Sequence, residues 1–220
     1  MKNIISLLTL GVSSVLLMSC GADDTASRIT FSAGTVIYDQ TEQLYQLPFA
    51  LIVTDTNGNA VGNQKVTLSV VPLQYYKGSY ALGTEQWTTN VSAICPREDT
   101  NQNGILEAGE DVNGSGRLEP TNPATIGQHP VETPTLYNSK ELITDQWGSG
   151  HFSLIYPKAE ANWITVRITA STQVTGTESS EVLTFYLIAS QEDLESIDTT
   201  PPSGSIASKY GIVGDCFNPN

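Results

Sequence analysis

The segment LYQLPFALIVT, residues 44–54, is followed at once by the turn-forming segment DTNGN, residues 55–59. Its first half alternates apolar and polar residues and its second half is continuously apolar, which is typical of a strand that reaches the middle of a β-sandwich. Pro48 has no amide hydrogen and should limit this strand to an edge or a bulge at that point. Asn57-Gly58 supplies the positive φ of a tight hairpin, so another strand should follow.

Further strand-like segments lie on both sides of this one, with turn signals between them. They cover residues 29–31, 65–71, 75–82, 86–94, 141–144, 151–156, 163–170 and 181–189. About eight short strands of this kind predict an all-β fold built as a two-sheet antiparallel sandwich. Trp87, Trp147 and Trp163 are most simply core or sheet-edge aromatics, and a carbohydrate-stacking surface is the alternative.

The composition divides the chain into four segments around this sandwich. An apolar run over residues 4–18 has the length of a signal-peptide core and is too short to span a membrane. A long stretch rich in Asn, Gly, Pro and acids interrupts the strand pattern, and such loops usually have a task of their own. The predicted segments are a signal peptide at 1–19, a tether at 20–27, a β-domain at 28–190 with an insertion at 96–139, and a C-terminal tail at 191–220.

The segment LMSCG, residues 17–21, resembles the bacterial lipobox, although Met18 departs from the small residue usual at its position. The resemblance implies cleavage before Cys20 and acylation of that cysteine, which would hold the mature protein on a membrane. Ordinary cleavage near Gly21, releasing a soluble protein, is the alternative. Gly21 takes the place of the Asp that favours inner-membrane retention, so we expect a cell-envelope protein in the outer membrane.

The charge balance excludes two kinds of partner. Lys and Arg number 10 against 23 Asp and Glu, for a net charge of −13; removal of residues 1–19 leaves 9 basic residues and a net charge of −14. A polyanion does not bind nucleic acid or anionic headgroups through its charge. Where the acids cluster, they favour a divalent cation.

Three cysteines are present, and lipid on Cys20 leaves Cys95 and Cys216 as a possible pair. An oxidising compartment favours a disulfide between them. Two free thiols are the alternative, because Cys216 lies close to the C-terminal end.

The segment DTNQNGILEAGE, residues 99–110, matches the EF-hand calcium-loop template at every diagnostic position. Gly104 at position 6 permits the sharp turn, and Leu106 at position 8 could pack beneath the ion. With three acids the affinity should lie in the weak extracellular range, about 10⁻⁴ to 10⁻³ M, which favours a structural ion. A solvated loop without an ion is the alternative. The candidate ligands are Asp99, Asn101, Asn103, the Ile105 carbonyl, Glu107 and Glu110.

A second, weaker loop begins without a gap at residue 111. Its position 12 is Asn122 instead of glutamate, so low affinity, use of Glu110 from the first loop, and an empty loop are all open. Pro96 and the missing spacer leave no room for a pair of helix-loop-helix units, and the pattern is closer to the tandem calcium loops of dockerin and thrombospondin-type repeats. The candidate ligands are Asp111, Asn113, Ser115, the Arg117 carbonyl and Glu119.

A family resemblance spans roughly residues 29–95 and 140–189. Its motifs are FALIVTD at 49–55, NGNAV at 57–61, VTLSV at 66–70, TDQWG at 144–148 and FSL at 152–154. They resemble the bacterial Ig-like domains of the invasin and intimin type, which repeat a V-T-D-x-x-G-N-x-V turn and a later T-D-x-x-G turn. The resemblance implies an Ig-like sandwich acting as a surface or periplasmic stalk or adhesion module. The chain departs from the family in having one domain and a long insertion.

Three function classes follow from these observations. The leading hypothesis is a lipid-anchored Ig-like module whose calcium-stabilised insert serves adhesion, binding of a protein partner or surface ligand, or spacing. The second is a periplasmic accessory lipoprotein that assists assembly of an envelope structure. A hydrolytic enzyme has little support, since His129 and His151 are the two histidines and no G-x-S-x-G, H-E-x-x-H or phosphate-binding motif occurs. We therefore expect no catalytic residues.

Overall fold

The computed structural model describes residues 27–121, 123–131, 136–138, 140–174 and 177–220. In this part of the chain two antiparallel sheets form a β-sandwich, which confirms the predicted all-β, two-sheet fold class. A 3₁₀ turn, Lys158–Glu160, and a short helix α1, Gln191–Glu195, complete the secondary structure. The strands are β1 Arg28–Ala33, β2 Tyr38–Thr41, β3 Leu44–Thr54, β4 Lys65–Leu82, β5 Trp87–Pro96, β6 Thr125–Gly127, β7 Leu136–Asn138, β8 Glu141–Ile143, β9 Ser149–Pro157, β10 Ile164–Val174 and β11 Thr177–Tyr186.

The first sheet has the order β1-β3-β9-β6, with β2 also paired to β3; the second has the order β11-β10-β4-β8-β7, with β5 also paired to β4. Strand β3 is therefore interior, although Pro48 predicted an edge or a bulge. On one of its sides, β3 pairs first with β2 and then with β1, whose last residue, Ala33, lies opposite Phe49. Pro48 lies between these two pairings. Its carbonyl accepts the Gly34 amide over 2.8 Å, so its ring nitrogen faces this changeover, where no amide hydrogen is required.

The core lies between the inner faces of the two sheets. Alternate residues of β3 are buried, and Phe49 stacks on Phe152 of β9 at a centroid distance of 5.4 Å and meets Phe185 of the opposite sheet edge-on at 5.3 Å. Trp87 and Trp163 are buried, as the core interpretation predicted. Trp147 lies on a turn with 72% of its surface exposed, so it belongs to neither the core nor a strand.

Strand β4 is one element of 18 residues where the sequence predicted two strands. Its pairing shifts register near Pro72 against β10 and between Lys77 and Gly78 against β5. Gly78 has φ 148°, and a Cβ there would lie 2.1 Å from the carbonyl oxygen of Asn90. The register shift leaves Ser92 of β5 as the extra residue of a bulge, and the close approach of the Asn90 carbonyl requires glycine at position 78.

The predicted insertion contains two strands that its composition did not indicate. Strand β6 extends the first sheet, and strand β7 extends the second. The predicted C-terminal tail is also ordered against the sandwich. The Gly78 amide donates to the carbonyl of Gly211 over 2.9 Å, and the Ser208 amide donates to the carbonyl of Gly78 over 2.9 Å. A disulfide joins Cys95 to Cys216, which confirms that predicted pair and fixes this segment to the end of β5.

The predicted signal peptide, Cys20 and most of the tether lie outside the described residues. At the start of the described chain, the Ser27 hydroxyl donates to the hydroxyl of Ser179 over 2.6 Å. Within the described ranges, none of the helices is long and apolar enough to cross a membrane.

Candidate metal centre

The two candidate calcium loops follow β5 directly; residues 99–121 are called the twin loops below. Their base is fixed in two ways. The Arg97 amide donates to the carbonyl of Leu73 over 3.1 Å, which continues the pairing of β5 with β4. Cys95, two residues earlier, is held by the disulfide. The loops therefore leave the sandwich from a rigid edge.

The first loop is organised by its own side-chain oxygens. Asp99 accepts the amide of Asn103 over 3.2 Å and that of Gly104 over 2.9 Å. The side-chain oxygen of Asn101 accepts the same Asn103 amide over 3.0 Å, and the side-chain oxygen of Asn103 accepts the Ile105 amide over 2.7 Å. The side-chain oxygens of positions 1, 3 and 5 thus each accept a backbone amide within the loop.

The second loop repeats this arrangement at the same positions. Asp111 accepts the amide of Ser115 over 2.8 Å and that of Gly116 over 2.9 Å, and the side-chain oxygen of Asn113 accepts the Ser115 amide over 2.9 Å. Positions 4 and 6 are left-handed in both loops. The φ values are 62° at Gln102, 72° at Gly104, 74° at Gly114 and 77° at Gly116. The two loops therefore have the same left-handed positions in their first halves.

Position 12 of the first loop closes it from inside. Glu110 is buried, and its Oε1 accepts the amide of Thr100 over 3.1 Å and the Thr100 hydroxyl over 3.0 Å. Its Oε2 accepts the amide of Glu107 over 3.2 Å. Glu107 in turn accepts the side-chain amide of Asn101 over 2.6 Å. Among the predicted side-chain ligands, Glu107 is thus linked to both Asn101 and Glu110. Asp99 instead contacts the backbone amides of Asn103 and Gly104.

Position 9 of the second loop differs from this pattern. Glu119 is buried, and its Oε1 lies 2.7 Å from Nη2 of Arg117, while its Oε2 accepts the Asn113 side-chain amide over 2.6 Å. The carbonyl of Arg117, the predicted ligand at position 7, accepts the hydroxyl of Ser115 over 3.1 Å. An ion pair therefore already neutralises Glu119. Asn122, at position 12, lies outside the described residues.

The apolar residue at position 8 behaves differently in the two loops. Leu118 is buried, whereas Leu106 is 40% exposed, so packing beneath the loop occurs in the second loop and not at the predicted Leu106. The second loop lies against Tyr75, whose hydroxyl is 3.5 Å from Nδ2 of Asn113. Burial raises the pKa of Tyr75 to about 12, and the carboxylates of Glu98 and Glu119 add to this effect.

Sequence reasoning missed Glu98, which has only 2% of its surface exposed. Its Oε1 accepts the amides of Val112 and Asn113 over 3.1 and 3.2 Å, and its Oε2 accepts the amide of Glu119 over 2.9 Å. Burial raises the pKa of the Glu98 carboxyl, and the amide donors act in the opposite direction. The signal that could have revealed it is its spacing, twelve residues before Glu110.

The donor chemistry of the twin loops fits calcium. In the described part of the chain no group of three or more His, Cys, Asp or Glu side chains is placed to hold a metal ion. Calcium loops also use amide and backbone carbonyl oxygens, which Asn101, Asn103 and Ile105 offer here. The candidate ligands are all oxygens, which suits Ca²⁺ and not the nitrogen and sulfur preference of Zn²⁺.

Comparison with known proteins assigns no function. No protein-family model matches the chain, and no curated protein matches it. Among solved structures, the GAE domain of GGA2p from Saccharomyces cerevisiae is 10% identical over 77% of this chain and 94% of that one, with a TM-score of 0.26. The yeast GGA1 GAE domain is 9% identical over 77% and 96%, with a TM-score of 0.28. The outer membrane decaheme cytochrome OmcA is 10% identical over 74% of this chain and 23% of its own, with a TM-score of 0.27. At these values the likenesses place the chain in no family.

Proposed function

We propose that this chain is an Ig-like module of the bacterial cell envelope, anchored by lipid on Cys20, whose twin loops bind calcium and present a rigid surface for adhesion, binding or spacing. The observation that carries the proposal is the repeated geometry of the twin loops: the side chains at positions 1 and 3 accept the corresponding backbone amides in both loops, and positions 4 and 6 are left-handed in both. This agreement over the first half of each loop is expected of loops that are built around an ion.

Charge supports the calcium assignment. Six acids lie between Glu98 and Glu119, and within the described residues the one ion pair of the twin loops joins Arg117 to Glu119. Glu98 and Glu110 are buried without a cationic side chain, and buried negative charge is costly unless it is compensated. A divalent cation held by the predicted ligands would offset this charge and order an insert that has little apolar surface to bury.

The outer side of the twin loops supports a binding role. Ile105, Leu106 and Val112 are 63%, 40% and 45% exposed, so apolar side chains stand on an otherwise polar loop surface. A calcium ion would fix the spacing of these side chains, because it would lock the backbone that carries them. We infer that they are the contact residues for a protein partner or surface ligand.

The two motif turns support the invasin and intimin resemblance. Asp55 accepts the amides of Asn57 and Asn59, each over 2.9 Å, and Asp145 accepts those of Trp147 and Ser149 over 2.8 and 2.9 Å. The turns are also adjacent, since the Val53 amide donates to the carbonyl of Gly148 over 2.9 Å. Each motif aspartate therefore stabilises one of two neighbouring turns at the same end of the sandwich. The disulfide agrees with a compartment outside the cytoplasm.

Calcium titration of the mature protein tests the proposal. We expect heat of binding and protection of residues 97–121 from protease at calcium concentrations up to about 10 mM, and loss of both on chelation. The double variant Asp99→Ala, Glu110→Ala should lose the binding and protection of the first loop. Asp55→Asn is the matched control, because it alters an aspartate that organises a turn in the sandwich, and it should bind as the wild type does. Absence of binding and protection in the wild type would refute the proposal.

Surface exposure separates adhesion from the accessory-lipoprotein alternative. Protease added to whole cells should cleave the twin loops of the Asp99→Ala, Glu110→Ala variant, without chelator, if the module faces outward. Protection in intact cells, with cleavage after the outer membrane is opened, would favour a periplasmic role.

A further inference from the structure

One end of the sandwich carries both the start of the described chain and an exposed tryptophan. Strand β1 begins here at Arg28, opposite the last residue of β3, and runs away from this end. Ser27 is fixed here by its hydrogen bond to Ser179. We call this the chain-entry end; it is formed by Ser27, Arg28 and the two motif turns, residues 55–59 and 144–148.

Trp147 lies close to the point where the chain enters the sandwich. Val53 of β3 lies opposite Ile29 of β1, and on its other side its amide donates to the carbonyl of Gly148 over 2.9 Å. Neighbouring strands are about 4.8 Å apart, so the backbones of Ile29 and Gly148 are separated by roughly 10 Å. Trp147 is the residue before Gly148, so its turn is a direct neighbour of the entering chain.

Three large apolar side chains are exposed around this turn. Trp147 is 72% exposed, Ile52 48% and Ile143 42%. Ile143 is the last residue of β8, just before the turn, and Ile52 lies opposite Ser149, just after it. A cluster of exposed apolar side chains on one end of a domain marks an interaction surface.

The proposed lipid on Cys20 decides what this surface can meet. Ser27 is the seventh residue after Cys20, and an extended chain covers at most about 3.6 Å per residue, so the two residues are no more than roughly 25 Å apart. The chain-entry end is therefore held next to a bilayer. A tryptophan ring favours the boundary between lipid and water, where its apolar body contacts lipid and its N–H stays hydrated.

We propose that Trp147, together with Ile52 and Ile143, contacts the bilayer that holds Cys20 and seats the chain-entry end on its surface. The proposal rests on the lipid anchor of the proposed function. The surface contacted is zwitterionic lipid, because 9 basic residues against 23 acids give the mature chain a net charge of −14, which disfavours anionic headgroups.

This contact would turn the twin loops away from the membrane. Val66 of β4 lies in one row with Thr172 and Ser179 and thus belongs to the side of Ser27. Tyr75, farther along β4, lies against the second loop. At about 3.3 Å per residue, Val66 and Tyr75 are roughly 30 Å apart along the strand. A sandwich seated by its chain-entry end therefore presents the twin loops on the side that faces away from the lipid.

Tryptophan fluorescence of the mature, lipidated protein in phosphatidylcholine vesicles tests the contact. The signal of Trp147 is the difference between the wild type and Trp147→Ala, since Trp87 and Trp163 are buried in both. Vesicles should lower the acrylamide quenching of Trp147 at least about twofold and shift its emission to shorter wavelength, because the ring leaves water for the lipid boundary. Bromine-labelled acyl chains should quench it. Ile52→Ser combined with Ile143→Ser should reduce this lipid quenching.

A tryptophan moved to the other end of the molecule is the matched control. Phe217 is 74% exposed and follows Cys216, whose disulfide partner Cys95 lies opposite Tyr75. Phe217→Trp in the Trp147→Ala background should therefore stay equally accessible to acrylamide with and without vesicles, and brominated lipid should not quench it. Equal lipid quenching at positions 147 and 217 would overturn the proposed orientation.

The outcomes separate the contact from the anchor. A protein that carries acyl chains and floats with vesicles, but whose Trp147 stays fully open to acrylamide and unquenched by brominated lipid, overturns the contact and leaves the anchor standing. A mass without acyl chains, or failure to float, overturns the anchor and the contact with it. Shielding of Trp147 that appears without vesicles as the protein concentration rises would assign this surface to a second copy of the chain instead.

Discussion

The side-chain ammonium of Lys77 is fully buried and donates a hydrogen bond of 3.0 Å to the backbone carbonyl of Asp215. It also donates to the carbonyl of Asn218. Lys77→Met should leave both carbonyls without this donor and lower the free energy of unfolding by about 2 kcal/mol. Urea denaturation measures the loss, and hydrogen exchange should show faster exchange at residues 205–220. Lys140→Met, at an exposed lysine, is the control; equal stability of the two variants would contradict this role of Lys77.

Removing the disulfide should have a larger effect. Cys95 and Cys216 are 121 residues apart, and the chain-entropy model assigns about 4 to 5 kcal/mol to a cross-link over such a loop. The variant with both cysteines changed to serine should therefore lose much of the stability of the domain, as measured by urea denaturation. A loss below about 1 kcal/mol would show that the hydrogen bonds of Gly78 and Lys77 suffice to hold the C-terminal segment.

The ion pair of Asp193 predicts acid sensitivity. Burial alone would raise the pKa of Asp193, but hydrogen bonds from Lys158 and Tyr45 outweigh it and lower the pKa below its usual value of 3.8. A carboxyl with a lowered pKa stabilises the fold above its unfolded pKa, and this stabilisation is lost as the pH falls through the folded pKa.

Asp193→Asn should therefore cost about 1 to 2 kcal/mol at pH 7, and the difference from the wild type should shrink below about pH 4. Urea denaturation across this pH range measures it. Asp39→Asn is the control, since Asp39 also pairs with Lys158 but its side chain is 59% exposed, and its effect should be small. A constant Asp193→Asn difference down to the lowest pH would contradict the assignment.

The close contact of Gly78 in β4 with the backbone of β5 predicts that Gly78→Ala is strongly destabilising. The added Cβ would lie 2.1 Å from the carbonyl oxygen of Asn90, at a φ that L-residues avoid, so we expect a loss of about 3 kcal/mol or more. Gly58→Ala separates the steric clash from the strain of a positive φ. Gly58 also has a positive φ, 82°, but a Cβ added there would meet no atom within 4 Å. It should lose only about 1 kcal/mol. Equal melting temperatures for the two variants would exclude the steric contribution.

Features that depend on local sequence were predictable. The run from Leu44 to Thr54 is strand β3 with the same bounds, because its apolar pattern is long and continuous. The contacts within the first loop join residues at most ten positions apart, so they depend on residue types at fixed spacing, while calcium binding by this loop stays a prediction. The pairing of Cys95 with Cys216 was reached from the cysteine count and the compartment.

Features that depend on distant contacts were not predictable. Strands β6 and β7 have three residues each, too few to show a period, and they are strands only because a sheet edge pairs with them. The segment around Ser208 has no strand pattern, and its order comes from the amide and carbonyl of Gly78. Glu98 belongs to no position of either loop motif, so its role depends on contacts that the template does not contain.

Three contacts at the twin loops enclose one another along the chain, and their different sequence separations favour an order of formation. Thr100 and Glu110 are 10 residues apart, Glu98 and Glu119 are 21 apart, and the disulfide spans 121. Closing a short loop costs less entropy than closing a long one. As the chain folds, the first loop can therefore close soonest, the second can close once Glu98 meets Glu119, and both can precede oxidation of Cys95. The side chains of the twin loops can then already be held in place while the sandwich is still assembling.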